Sequence, residues 1–331
     1  MTTNGDRSDR DMILHELREA GKLIVITHEN PDGDALGSLV ATQGILSAIG
    51  KDCLMYIDER DLPLPQEYRF FPLDGLVSQP PADLEQRTVV FLDCGNLDRN
   101  PAVAFRREGI HLLNIDHHHD NTRFGTVNLV VPEASCTAEI LWDLMHGLGV
   151  EPTLTVAEAL YVGLITDTGR FMYENTGRRA HLMAAELIDA GVDVHEMYRR
   201  VYEGVPYGKL ALLARGLANI ERYDDGRLTM TALSATDFSD SDAEESYSEG
   251  VVDHLRAVQG TAVAALIRDR IGDEQPGQRK VSLRASDDRV DVSAIARVQG
   301  GGGHRQAAGF TTGLSHDELV RFLRDELAAQ L

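Results

Sequence analysis

The sequence predicts an α/β protein: a mostly parallel open sheet in the N-terminal part, a smaller α/β unit in the C-terminal part, and a helical connector between them. Three observations lead there. Short, nearly continuous apolar runs alternate with helical patterns over residues 12–166, as strands do when crossover helices bury both their faces. After Asp224-Asp225-Gly226 the pattern changes to the strand-like runs of a separate sheet. The 331 residues also suit two domains of about 100–200 residues each.

In chain order, the polar residues 1–11 are expected to form a disordered tail. MILHELREA (12–20) has helical spacing and stops at Gly21. KLIVIT (22–27) suits a buried strand, the loop HENPDGD follows, and 35–49 read as a helix stopped by Gly50. KDCLMYID (51–58) reads as a strand, and the proline-rich stretch 60–87 as loop and short turns. RTVVFLD (87–93) and IHLLNID (110–116) are two further strands; 134–148 and 155–166 are helices. A helix-rich stretch runs from about 179 to 221. RLTMTAL, TAVAALIRD and KVSLRAS read as strands of the second sheet, with TDFSDSDAEESYSE (236–249) as a mobile acidic loop. SHDELVRFLRDELAAQL closes the chain as an amphipathic helix, with Ser315 and Glu318 at capping-box spacing. The expected division is a first domain over 12–205, a helical linker over 206–224 and a second domain over 225–331.

Asp and Glu number 53 against 32 Lys and Arg, a formal net charge of −21. That excludes partners held mainly by phosphate neutralisation, such as long duplex DNA or an anionic membrane. Small nucleotides remain open to it if bound cations repair the local field. The three cysteines, Cys53, Cys94 and Cys136, form neither a disulfide framework nor a CxxC knuckle. With a polar start lacking a signal-peptide core, they point to the cytoplasm.

Metal-type side chains gather where strands end. KLIVIT leads to His28, Asp32 and Asp34; RTVVFL to Asp93; IHLLNI to Asp116, His117 and His118; and Asp167 follows the apolar YVGLIT. In open α/β sheets, ligands bind beyond the carboxyl ends of the strands. Packed together, several carboxylates repel unless cations relieve them. A set of oxygens and imidazoles without thiolate suits Mn2+ or Mg2+ rather than structural zinc. There are enough groups for two ions, which would activate water and clamp a phosphoryl group. Taken singly, Asp34 reads equally as a helix N-cap and Asp32-Gly33 as a turn; their coincidence beyond buried strands favours the metal. Cys94 reads as small apolar packing.

Gly300 to Gly303 precede His304 and Arg305. Backbone N–H groups of Gly301, Gly302 and Gly303 can approach an anion closely, and a following helix would add its positive end. The alternative is a linker, but the segment lies between two ordered patterns.

Taken together, HENPDGDALGS, FLDCG, IDHHHDN, LITDTGRF and GGGGHRQAAG resemble the DHH phosphoesterase superfamily with its DHH-associated C-terminal domain, over nearly the whole chain from residue 12. Within it the likeness is to the two-domain oligoribonuclease and pAp phosphatase group. The resemblance implies a first Mn2+ at His28, Asp32 and Asp93, and a second at Asp34, Asp93, His117 and Asp167, with Asp93 bridging. Mg2+ or Co2+ would be substitutes. It places His118 near the scissile phosphate, and Arg284, the glycines and His304 on the nucleotide. After TDTG the family pattern carries its arginine two places later, so Arg170 is assigned either to the phosphate or to a solvated loop. The substrates implied are short RNA, pApA, pAp and, in some branches, cyclic di-AMP; a homodimer is left open. Two alternatives stand beside this reading: a DHH-type manganese inorganic pyrophosphatase, and a catalytically silent nucleotide sensor. No Arg-Lys-Lys run near the C-terminus supports the first, and sensing needs no pair of hydrolytic metals.

Overall fold

The computed structural model describes residues 4–100, 102–107, 109–270, 277–303 and 305–331. The chain divides into two compact units, Met1–Gly204 and Val205–Leu331.

The first unit is built on six strands: β1 (Lys22–Ile26), β2 (Asp52–Tyr56), β3 (Leu76–Val77), β4 (Thr88–Leu92), β5 (Leu112–Asp116) and β6 (Val127–Val130). They lie in the order β3-β2-β1-β4-β5-β6, every pair parallel. Its helices are α1 (Asn4–Glu19), α2 (Gly33–Ala48), α3 (Thr137–Leu148), α4 (Leu154–Asp167), α5 (Arg178–Asp189) and α6 (Val194–Tyr202). One sheet face, with Leu23, Val25, Val90, Leu92, Leu113 and Ile115, packs against these helices. The other face, with Ile24, Ile26, Val89 and Phe91, is covered by loops and short 3-10 turns that bring in Leu84, Ala102 and Phe105. Both faces are buried, which is why the strands read as continuous apolar runs.

Two expectations shift here. The first helix starts at Asn4, so residues 4–11, expected as a tail, continue it, and Arg10 bonds to Asp143 of α3. β6 went unread because Val127-Asn128-Leu129-Val130 is a short edge strand with only its last two residues buried.

Gly37 and Gly163 let α2 and α4 lie close together. A Cβ on Gly37 would stand 2.3 Å from the Ala159 carbonyl oxygen, and one on Gly163 2.6 Å from Asp34 Oδ1. The start of α2 and the end of α4 thereby bring Asp34 and Asp167 to the β1 and β4 ends.

The second unit opens with α7 (Tyr207–Ala218), whose Leu212 enters a core with Leu233, Phe238, Val252 and Leu266. There follow β7 (Glu221–Tyr223), β8 (Leu228–Leu233), α8 (Ala235–Asp240), α9 (Val251–Arg256), β9 (Val263–Asp269), β10 (Arg279–Ala285), α10 (Val292–Val298), β11 (Gly302–Gly303), β12 (Ala307–Thr312) and α11 (His316–Ala328). The sheet order is β11-β12-β10-β9-β8-β7, antiparallel except for β8 with β9.

The expected mobile loop at 236–249 is instead largely helical. Ser234 and Asp237 form a capping box, and the buried ring of Phe238 anchors α8. Glu221–Tyr223, read as a continuation of the connector helix, pairs with β8. α11 begins with the Ser315–Glu318 capping box that its spacing predicted. Among the described residues no helix is long and apolar enough to cross a membrane.

Candidate metal centre

β1 and β4 are neighbours at the point where the sheet order reverses, and the chain leaving each delivers one buried group. His28 follows β1. Its Nδ1 lies 2.7 Å from the Glu29 carbonyl oxygen, which assigns the proton to Nδ1 and turns Nε2 inward, 3.5 Å from Asp93 Oδ2. Asp93 follows β4 in a left-handed conformation (φ 54°), unusual for a residue with a side chain, and is 2% exposed. Its other oxygen, Oδ1, accepts from Thr137 Oγ1 at 3.0 Å and lies 3.5 Å from His117 Nε2. The two oxygens of Asp93 therefore face different histidines.

Asp32 is the N-cap of α2, where its Oδ1 accepts from the backbone N–H groups of Asp34 and Ala35, both at 3.1 Å. Asp34 caps a different helix. Its carboxylate accepts from Thr137 N at 2.6 Å and Ala138 N at 3.0 Å, the first turn of α3. Cys136, at that helix's own N-cap position, makes no side-chain cap. Asp167 ends α4, with Oδ2 3.6 Å from His117 Nε2, and Asn175 Nδ2 donates to its carbonyl at 3.0 Å.

Asp116, the acid that opens Asp116-His117-His118, does not join the others. It is wholly buried, and its Oδ1 lies 2.7 Å from His118 Nδ1 and accepts from His117 N at 2.9 Å. Asn121 donates to its other oxygen. It orients the two histidines.

Ligand-type atoms fall into three overlapping groups, His28 with Asp32 and Asp93, Asp34 with His117 and Asp167, and Asp93 with His117 and His118, each within 4.8 Å. Electrostatics shows the strain of this gathering. Burial pushes the Asp34 carboxyl well up, and Asp93, Asp167 and Asp32 push it further. Burial likewise carries Asp167 up to about 7, against the pull of His117. Asp93 stays well below the usual range because His28, with His118 and His117, outweighs the effect of burial. Burial disfavours charge on His118, but Asp116 outweighs it and lifts the pKa to about 9. Buried carboxylates this close call for cations. The donors are carboxylate oxygens and imidazole nitrogens, with the nearby Cys94 thiol held protonated by burial, its pKa up at about 12. That donor set fits a hard or borderline divalent ion.

Arg170 follows on the same segment, with φ 62° and its guanidinium 5.0 Å from the Tyr202 ring centroid. In the second unit, Arg284 on β10 and Gly302–Gly303 of β11 flank β12, where Arg284 pairs with Ala307 and Gly303 with Ala308. The glycine run leads into the strand β12, not a helix, and it follows the C-terminal end of α10, so no helix dipole adds to an anion there. Close strand packing is what demands Gly301: a Cβ there would stand 2.2 Å from the Gly309 carbonyl oxygen. His304 lies outside the described residues.

Thr137, Asn175 and Asn121 escaped the sequence reading, since a neutral hydroxyl or amide that steadies an acid is not itself a ligand-type side chain. Arg99 did too. It makes no ion pair among the described residues, yet its charge is felt at His28 and His118.

Residues 22–164 match the family described as the DHH family, N-terminal domain, and residues 228–329 the DHHA1 domain. A curated relative from Thermus thermophilus, named bifunctional oligoribonuclease and PAP phosphatase NrnA, is 35% identical over 315 residues, covering 93% of this chain and 90% of its own. An exopolyphosphatase-related protein from Bacteroides fragilis has the same fold, with a TM-score of 0.87 at 24% identity over 98% of this chain and 96% of its own. RecJ from Thermus thermophilus, solved in complex with Mn2+, aligns with a TM-score of 0.56 at 16% identity, over 100% of this chain and 55% of its own.

Proposed function

The chain belongs to the DHH family and is a phosphoester hydrolase, and on that premise we propose that it cleaves short oligoribonucleotides such as pApA and removes the 3′-phosphate of pAp. In this reading the first unit carries the chemistry and the second holds the nucleotide, with 206–224, expected as a linker, packed into the second unit as α7 and β7. His28, Asp32 and Asp93 hold one divalent ion, and Asp34, Asp93, His117 and Asp167 a second. The observation that carries it is the two-sided Asp93, one oxygen towards His28 and the other towards His117. Imidazole beside carboxylate favours Mn2+, with Mg2+ or Co2+ as substitutes. Bound there, the ions supply charge neutralisation, polarised phosphoryl oxygens and water that ionises more readily.

The protein's own groups do the rest. Asp116 holds the His118 proton at Nδ1 and turns Nε2 outward as a donor to phosphoryl oxygen. Thr137 fixes the Asp93 carboxylate, and Asn175 the end of α4 at Asp167. Arg284 and the backbone of Gly302 and Gly303 take the terminal phosphate, whereas the Gly301 N–H, expected to join them, is already given to the Ala296 carbonyl at 2.9 Å; His304 is assigned with them by motif. Arg170, on the face of Tyr202, is a further phosphate donor. Buried, reduced cysteines accord with a cytoplasmic setting.

The deciding experiment compares turnover of pApA, pAp, cyclic di-AMP and pyrophosphate with Mn2+, Mg2+, Co2+ or EDTA. pApA and pAp with Mn2+ are expected to lead, and EDTA to abolish activity. Preference for pyrophosphate would replace this reading with a pyrophosphatase. Binding of nucleotides without turnover of any would make the chain a sensor.

A further inference from the structure

Among the described residues Arg268 is a buried charge without a counter-ion. It stands on β9, 6% exposed, and no carboxylate lies within ion-pair distance among the described residues. Its Nη1 donates to Ser248 Oγ and its Nη2 to Ser282 Oγ at 3.2 Å, while Nε is buried with no partner. Burial pulls its pKa down, against the distant influence of Glu245 and Glu249. Desolvating a guanidinium this way is costly, and a sheet gains nothing from it.

Its neighbours compound the cost. Lys280 of β10 stands directly opposite Arg268 in the ladder, exposed and without an ion pair among the described residues. Like charges facing each other across a strand pair are destabilising. Alternation puts Lys280, Ser282 and Arg284 on one face of β10. Arg284 has Asp253 at 3.4 Å.

The two serines differ. The Ser248 hydroxyl donates to the Glu245 carbonyl oxygen at 2.6 Å. Ser282 receives Arg268, and among the described residues its own hydroxyl proton has no acceptor, so a donor is left pointing away from the guanidinium. Beyond β10 the surface continues with Gly309 and Thr311 of β12, opposite Ser282 and Lys280, and with Gly302 beside Gly309. These small side chains let a ligand backbone come close.

We propose that Lys280 and Ser282, above the buried Arg268, form a second phosphodiester subsite on the outer face of β10, next along the strand from the phosphate held at Arg284. The proposal rests on the functional reading above and extends it from dinucleotides to trinucleotides and longer, which are gripped at a further phosphate besides the one at Arg284. Same-face positions recur about every 7 Å along a strand, a stride like that between successive phosphates of an extended single strand. Lys280 and Ser282 meet the anion. Arg268 is a positioning residue, aiming the Ser282 hydroxyl and adding charge from a low-dielectric floor.

The test measures kcat/KM of the full-length enzyme with Mn2+ on 5′-phosphorylated oligoadenylates from dinucleotide to pentanucleotide, at several salt concentrations. Lys280→Met and Arg268→Met should lower the value on tetra- and pentanucleotides by about 10-fold, and Ser282→Ala by about 5-fold. The loss on pApA should be much smaller. For Lys280→Met the salt dependence on long substrates should flatten by about 0.7 in logarithmic slope. Arg268→Met should leave the melting temperature unchanged or raised, because an unpaired buried charge is gone. If it unfolds, the exposed Lys280→Met decides. Equal losses at every length, or an unaltered length profile and salt slope, would overturn the subsite. Failure of the wild type to cut any oligonucleotide would instead overturn the functional reading beneath it.

Discussion

Asp116 Oδ1 lies 2.7 Å from His118 Nδ1, and the Asp116 side chain is fully buried behind it. The acid of the Asp-His-His run is thus a support for a histidine rather than a member of the acid cluster. Asp116→Asn should keep the fold but release the Nδ1 proton and the imidazole orientation. Outer-shell changes of this kind cost about 10- to 100-fold in activity or metal affinity. Steady-state kinetics on pApA should show that loss, together with a downward shift of any limb in the pH profile that reports His118. An unchanged rate would remove His118 from the chemistry.

Asp93→Asn should be the costliest ligand change. Both of its oxygens face histidines of different ligand groups, so one substitution weakens both proposed ion sites. Activity should fall to background on every substrate, and bound Mn2+ measured by elemental analysis should drop below two ions per chain. Normal turnover would refute the two-ion arrangement.

Asp167 offers a pH test. Its carboxyl is raised to about 7 in the folded chain, against about 3.9 when unfolded. A raised acid contributes stability that is full below the unfolded pKa and is lost as pH climbs through the folded one. In EDTA the melting temperature should therefore fall between about pH 4 and pH 7. With Mn2+ the ions replace the proton, so apparent metal affinity should rise with pH across the same window, with proton release on binding. Isothermal titration in buffers of different ionisation enthalpy would measure that release; none at pH 6 would contradict the assignment.

Gly37→Ala should loosen the site from a distance. The added methyl would meet the Ala159 carbonyl at 2.3 Å, forcing apart the two helices that carry Asp34 and Asp167. Overpacking typically costs about 1–3 kcal/mol, visible as a lower urea midpoint. Mn2+ affinity should weaken in parallel; a stability loss with unchanged affinity would show that α2–α4 spacing does not govern the centre.

The three cysteines should be inert in the native protein. Burial raises Cys53 and Cys94 to about 12 and holds Cys136 well above the ordinary thiol range, so almost no thiolate exists at neutral pH. Iodoacetamide at pH 8 should label none before denaturation and all three after it, as read by intact mass. Native labelling of Cys94 would mean that the loop after β4 opens.

By itself, the sequence determined the α/β class and the positions of the buried strands, because Lys22–Ile26, Thr88–Leu92 and Leu112–Asp116 are apolar enough to need cover on both faces. It also placed His28 and Asp93 just past their strands and Asp116 at the end of its own, and a parallel sheet carries its strand ends to one edge. Its errors fell where local pattern was weak. A short edge strand such as Val127–Val130 buries too little to read, and the acidic run 236–249 hid the rings of Phe238 and Tyr247 that pack it onto the core. Only the tertiary structure decided what each acid does. Asp34 caps α3, more than a hundred residues away in sequence; Asp116 turns inward to His118; Thr137 and Asn175 steady Asp93 and Asp167. Likewise only strand register set Arg268 against Lys280. Hydrophobic periodicity is a local property that a sequence displays. The partner of a polar side chain is chosen by chain segments that meet only after the core has packed.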